Sequence, residues 1–125
     1  MNVPAELKYT IEHEWLKIDG NMVTVGITDF AQGELGDVVF VELPAVGTAV
    51  EALKPFGTIE AVKAVSELFS PVNGKITEIN QILDDDPMTI NRDPYGEGWM
   101  VKIELNDTAE LEKLLGADEY RSLVE

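Results

Sequence analysis

Apolar and polar positions along the chain change period several times, and the changes mark the elements. From Leu7 to Ile18, the aromatic and β-branched residues Tyr9, Ile11, Trp15 and Ile18 predict a strand that stops at Asp19-Gly20-Asn21. Met22 to Ile27 follows, with Val23, Val25 and Ile27 on one face, so the two runs predict a hairpin about a Gly-containing turn. Thr28-Asp29 predicts the cap of a short helix through Leu35, closed by Gly36. Val38 to Leu43 (VVFVEL) predicts a strand ended by Pro44, and Val46 to Val50 a turn and short strand. Pro55-Phe56-Gly57 predicts a break before the next apolar run.

Further on, Asn73-Gly74 predicts a hairpin turn feeding a strand over Ile76 to Ile79. Asp84-Asp85-Asp86-Pro87 opens a short acidic helix or loop, Asp93 to Gly98 is turn-rich, and Trp99 to Leu105 alternates as a final strand. Asp107-Thr108-Ala109-Glu110 has the pattern of a capping box, followed by Leu111, Leu114 and Leu115 at helical spacing and by Gly116 as a stop. Tyr120, Leu123 and Val124 form one more helical turn. No linker interrupts residues 1–125, so the expectation is one mainly β domain with a helical tail from about 107 to 125. The segments GTAVEALKPFGTIEAV and GKITEINQIL echo each other as β units on either side of Lys63, placing that lysine at one end of a sandwich or flattened barrel.

Composition narrows the function. Of 125 residues, 45% are hydrophobic, enough for a packed core. Nine basic residues against 24 acidic ones give a net charge of −15, which argues against a nucleic-acid binder and against docking on anionic membrane and suits protein partners with positive patches. The chain has no cysteine and one histidine, His13, so thiolate chemistry and a multi-histidine metal site are excluded. No apolar run is long enough for a membrane span, and MNVPAELKYT has neither signal-peptide nor transit-peptide character. A cytoplasmic monomer is expected, or a mitochondrial-matrix protein if this is a mature organelle form.

Against that acidic background stands Lys63, in GTIEAVKAVSELFSP. A strand lysine commonly points to solvent and protects an edge. A Schiff-base lysine needs an apolar pocket and an acid–base partner that the sequence does not supply. A third role is a covalent attachment point on a protruding turn. Lys63 is followed eleven residues later by Gly74, within Pro71-Val72-Asn73-Gly74, a spacing that resembles lipoyl- and biotinyl-carrier domains. Val62 and Ala64 differ from the Met neighbours usual in biotin carriers, and the Asp usual before the lysine of 2-oxo acid dehydrogenase lipoyl domains is absent. GTIEAVKAVS resembles instead the H protein family of the glycine cleavage system. The resemblance spans the chain through LKYTIEHEWLKI, VGITDFAQGELGDVVFVELPAVG, INRDPYGEGWMVKI and LLGADEYRSLVE. Ala61, where the family often has Ser, and Thr89, where an apolar residue is common, are small departures.

The resemblance implies a barrel-sandwich hybrid with a C-terminal helical extension and lipoate in amide linkage on Lys63. Glu60 is expected to help present the turn to the lipoylating enzyme, and Gly74 to let the chain turn and pack beside the modified hairpin. The protein would not be an enzyme. Its arm would carry the aminomethyl group of glycine from glycine decarboxylase to the aminomethyltransferase and be reoxidised by dihydrolipoamide dehydrogenase. A lipoyl donor for other enzymes is an alternative, as is an acidic β scaffold with no carrier role. For the loaded arm, Glu14 is expected as the main amine contact, with Glu12 and Glu67 adding negative field. His13 is expected to be structural, and Trp15 and Trp99 to pack in the core or its rim.

Overall fold

The computed structural model describes residues 2–125; Met1, the first residue of the expected domain, lies outside them. Its strands are β1 (Lys8–Tyr9), β2 (Glu14–Asp19), β3 (Met22–Ile27), β4 (Val38–Glu42), β5 (Ala49–Val50), β6 (Pro55–Ala61), β7 (Val65–Phe69), β8 (Gly74–Ile79) and β9 (Val101–Leu105). Between them lie the helices α1 (Asp29–Leu35), α2 (Ile82–Asp85) and α3 (Thr89–Arg92). A 3-10 helix (Thr108–Lys113) and α4 (Ala117–Val124) end the chain. The strands form two antiparallel sheets, one of six strands in the order β1-β2-β3-β9-β8-β5 and one of three in the order β4-β6-β7. The sheets do not close into a barrel.

Register explains how two successive large residues, Trp15 and Leu16, are both buried. Leu16 faces Val25, and Ile18 faces Val23, on the inner side of the six-stranded sheet. Leu16, Val23 and Val25 join Val41, Ile59, Leu68 and Ile76 in the main core, while Ile18, at the open end of the hairpin, is exposed. Each such fully buried aliphatic side chain contributes about 1.5–3 kcal/mol. Trp15 points the other way, opposite Gly26. There it packs with Tyr9, Leu7, Ala117 and Tyr120 in a second cluster beneath the C-terminal tail. A Cβ on Gly26 would stand 2.6 Å from the indole Nε1, so glycine makes the room that Trp15 occupies. The tail is thus the cover of the sheet's outer face: Tyr120 stacks on Tyr9 with ring centroids 4.8 Å apart, and Leu115 bridges to Tyr9.

Several local expectations change once distant partners are seen. The run from Leu7 to Ile18 is two strands, because a turn at 11–13 reverses the chain and pairs Tyr9 with Trp15. Pro55 opens β6 rather than breaking before it, as a first strand residue may lack an N–H. Asn73-Gly74 is not a hairpin turn: β7 pairs with β6, while β8 joins the other sheet beside β5 and β9. Trp99 lies outside β9, which starts at Val101. Asp107 caps the 3-10 helix by accepting from the Ala109 N–H at 2.9 Å. Glu110 does not return to that cap; its carboxylate takes the Asn73 amide groups instead. Gly116 starts α4 rather than ending a helix, and its N–H donates to Glu119 Oε1.

Candidate functional site

Lys63 lies on the connection Val62-Lys63-Ala64 between β6 and β7, with all three residues exposed. The backbone there is fixed from both sides. Ala61 N–H donates to Ala64 O at 2.9 Å and closes the turn. Val62 N–H donates to Asp37 O at 3.0 Å and Lys63 N–H to Leu35 O at 3.1 Å, which ties the turn to the α1–β4 connection. Gly36 sits in that connection at φ 79°, and a Cβ on it would meet Lys63 Cγ at 3.3 Å, so the stem of the lysine lies across it. Asn91 holds Gly36 in place: its Nδ2 donates to Gly36 O and to Gln32 Oε1, and its Oδ1 accepts from Val38 N–H, all at 2.9 Å. Lys63 takes no part in the ion pairs found among the described residues. The main chain of the turn is thus anchored by hydrogen bonds while the lysine side chain is exposed.

Beside this turn opens a cleft of about 410 Å³ between α1, the β1–β2 turn and the edge strand β7. Ile27, Phe30, Leu35, Ile59, Leu68 and Phe69 give it apolar walls. Glu12, Glu14, Glu34 and Glu67 line it too, with no lysine or arginine. The structure therefore brings together Glu12, Glu14 and Glu67, far apart in sequence. Leu35, whose carbonyl anchors Lys63, is part of the wall, so the cleft begins at the root of the lysine.

Glu14 is the deepest of the acids, 4% exposed. It pairs with Ile27 across the β2–β3 ladder and so shares the inner face with Leu16. Burial, reinforced by the charge of Glu12, pushes its carboxyl up to about 8, against hydrogen bonds from Thr10 and the Phe69 backbone that oppose the shift. Thr10 Oγ1 donates to Glu14 Oε1 at 2.9 Å. Glu14 therefore holds a proton near neutral pH while the cleft is empty.

Glu60 and Gly74 stand elsewhere. Glu60 faces Phe40 and Val65 across the three-stranded sheet and is exposed on the side opposite buried Ile59. Gly74 lies beyond the end of the β6–β7 hairpin remote from Lys63, paired with Val50 and Leu105. A Cβ there would stand 2.3 Å from Glu104 O, so glycine permits a close backbone approach. His13 Nδ1 lies 2.9 Å from Tyr120 Oη, which also contacts Thr28 Oγ1 at 2.7 Å. Burial lowers the His13 pKa, favouring the neutral ring. The ring pins the β1–β2 turn to α4. Glu34, Thr10 and Asn91 escaped the sequence reading. Phe30 and Glu34 had a signal, being i,i+4 on α1; Asn91 had none, since it acts on backbone groups more than fifty residues away.

Two facing antiparallel sheets, a turn lysine and a cleft at its root define a small carrier-type domain. The sequence profile of the family described as "Glycine cleavage H-protein" matches residues 7–125. The chain is 55% identical over 123 residues to the glycine cleavage system H protein of Halalkalibacterium halodurans, covering 98% of this chain and 96% of that one. It is 54% identical over 124 residues to that of Staphylococcus haemolyticus, covering 99% and 98%. The crystal structure of a glycine cleavage system H protein from Mycobacterium marinum superposes with a TM-score of 0.88 at 42% identity, covering 96% of this chain and 97% of that one. The chain belongs to the glycine cleavage H-protein family, whose members are lipoyl carriers rather than enzymes.

Proposed function

We propose that this chain carries lipoate on Lys63 and holds the arm's amine cargo in the cleft beside it. Bound lipoate would supply a disulfide that accepts the aminomethyl group of glycine with an electron pair and later gives the group up. The single observation that carries the reading is the union of an exposed, rigidly rooted lysine with an apolar cleft lined by four carboxyl groups beside His13 and Ser66, with no lysine or arginine. The apolar walls suit the chain of a lipoyl arm, and the acids suit a cationic end.

The protein residues then have distinct tasks. Leu35 and Asp37 fix the turn through their carbonyls, so the lysine is presented in one place. Leu68 and Phe69 exclude water from the floor. Glu14 holds a proton at its carboxyl in the empty cleft and transfers it to an arriving neutral amine, becoming the carboxylate that binds the resulting ammonium. Glu12 and Glu67 add negative field from the rim. Glu60, exposed on the outward face, would help present the turn to the lipoylating enzyme.

The partners that fit are a glycine decarboxylase, an aminomethyltransferase and dihydrolipoamide dehydrogenase, met in the cytoplasm. No helix among the described residues is long and apolar enough to cross a membrane. Tethering raises the local concentration of the arm at each docked site.

The test is the rate at which amine leaves the loaded protein with no aminomethyltransferase present. Glu14→Ala should speed release about tenfold or more, because a charge-assisted hydrogen bond in a partly dry site contributes about 1.5–3 kcal/mol. It should leave lipoylation of Lys63 unchanged. Equal release rates would place the cargo outside the cleft.

A further inference from the structure

The chain's one histidine, His13, stands in sequence between Glu12 and Glu14 and lines the same cleft as both. It holds φ 67°, a left-handed conformation that a non-glycine residue keeps only where its surroundings enforce it. Neighbours on three sides do so. Its N–H donates to Thr10 O at 3.2 Å, and its carbonyl accepts from Thr28 N–H at 3.0 Å. Its ring rests on Phe30 of α1 with centroids 4.8 Å apart and meets Tyr120 of α4 edge-on at 5.8 Å. The left-handed residue thus joins the two acids, and its ring is held from the side of the C-terminal helix.

The hydrogen bonds behind the ring run in one direction. Tyr120 Oη lies 2.9 Å from His13 Nδ1 and 2.7 Å from Thr28 Oγ1. Thr28 is fully buried, and its Oγ1 already accepts from the Ala31 N–H at 3.2 Å as the cap of α1. Among the described residues, the Thr28 hydroxyl proton has Tyr120 Oη as its acceptor. Thr28 therefore donates to Tyr120, and the single phenolic proton goes on to His13 Nδ1. Nδ1 is then an acceptor, and the ring is neutral with its proton on Nε2. Protonating Nδ1 would reverse the chain and strand the Thr28 proton in a buried site, an unfavourable state. Burial of the ring acts in the same direction, against the charges of Glu12 and Glu34, which favour the imidazolium.

We propose that Tyr120 is a positioning residue for the amine cargo: its hydroxyl holds His13 as the neutral Nε2–H ring in the left-handed turn, which keeps Glu12 and Glu14 on the cleft and keeps the imidazole from becoming their cation. The inference rests on the carrier reading above. Glu12 and Glu14 on the turn and β2, Glu34 on α1 and Glu67 on β7 all favour a charged histidine beside them. An imidazolium there would compete with the cargo ammonium for the same carboxyl groups. No residue of α4 lines the cleft, and Tyr120 itself is buried in the cluster beneath the tail, stacked on Tyr9. The C-terminal helix therefore acts on the cargo through one hydroxyl, without touching the cleft.

With a single histidine in the chain, nitrogen NMR of the imidazole needs no assignment. The unloaded parent at neutral pH should show one neutral tautomer, with the proton on Nε2. Tyr120→Phe removes the hydroxyl but keeps the ring on Tyr9, and it should lose that single-tautomer signature. Lipoylated and amine-loaded, Tyr120→Phe should release amine about fivefold faster than the parent with no aminomethyltransferase present, the loss expected for one hydrogen bond. Its lipoylation rate at Lys63 should match the parent. Val124→Ala loosens the packing of α4 without touching the hydroxyl chain, and its tautomer and release rate should match the parent. A parent ring that is charged, or that carries its proton on Nδ1, overturns the inference whatever the variants do. Equal acceleration in Val124→Ala also overturns it, because the tail would then act through stability alone. Glu14→Ala separates the two readings. Faster release there with unchanged release in Tyr120→Phe removes this inference and leaves the cleft reading; unchanged release in both removes the cleft reading as well.

Discussion

Glu14 faces Ile27 across the β2–β3 ladder, so a carboxyl fills an inward position that the next pair on that face gives to Leu16 with Val25. A buried acid there is unfavourable for folding unless it is protonated or paired. With a folded pKa raised to about 8 from 4.5, the native chain keeps a proton that the unfolded chain loses. Stability therefore falls as pH rises between those values and levels off above the upper one. Glu14→Gln should abolish this slope and raise stability at pH 8, by a few kcal/mol in order of magnitude. Urea midpoints of both proteins from pH 4.5 to 9 measure it; parallel curves would contradict the buried-acid assignment.

Gly26→Ala tests the packing beneath the tail. Its methyl would overlap the Trp15 ring, with three ring atoms within 2.7 Å, and Trp15 is held by a 2.9 Å hydrogen bond from Nε1 to Pro94 O. A loss of about 1–3 kcal/mol is expected from overpacking, with the tail's amides exchanging faster. Unchanged stability would mean that the indole moves freely.

Asn91→Ala should act on Lys63 without touching it. It removes the acceptor of Val38 N–H and the donors to Gly36 O and Gln32 Oε1. A loss of about 1–3 kcal/mol is expected, together with faster hydrogen exchange at the Lys63 amide and slower lipoylation. Slower lipoylation with no change in exchange would point to a direct contact between Asn91 and the modifying enzyme.

These residues also show where sequence reasoning ran short. The hairpin around Gly20-Asn21 and the Thr28 cap were legible because turn and cap chemistry are local. Asn73-Gly74 misled because a dipeptide does not record which sheet its following strand joins. Gly116 and Glu110 misled likewise: each keeps a local capping signature, but Glu110 finds the distant Asn73, and Gly116 leads into α4, which docks through Tyr120. Glu12, Glu14 and Glu67 came from family resemblance, and the cleft gathers all three. The carbonyl anchors at Leu35 and Asp37 had no side-chain signal, since any residue supplies a carbonyl.

The central claim is that Lys63 is the one attachment point of the arm. The chain is incubated with lipoate, ATP and a lipoate ligase, and modification is read by intact mass and peptide mapping in the parent and in Lys63→Arg. Arginine keeps the charge but offers no usable amine nucleophile. One lipoyl adduct on the Lys63 peptide, absent from Lys63→Arg, is the expected result. An adduct on Lys54 or Lys75, or a Lys63→Arg chain that is still modified, would contradict the account.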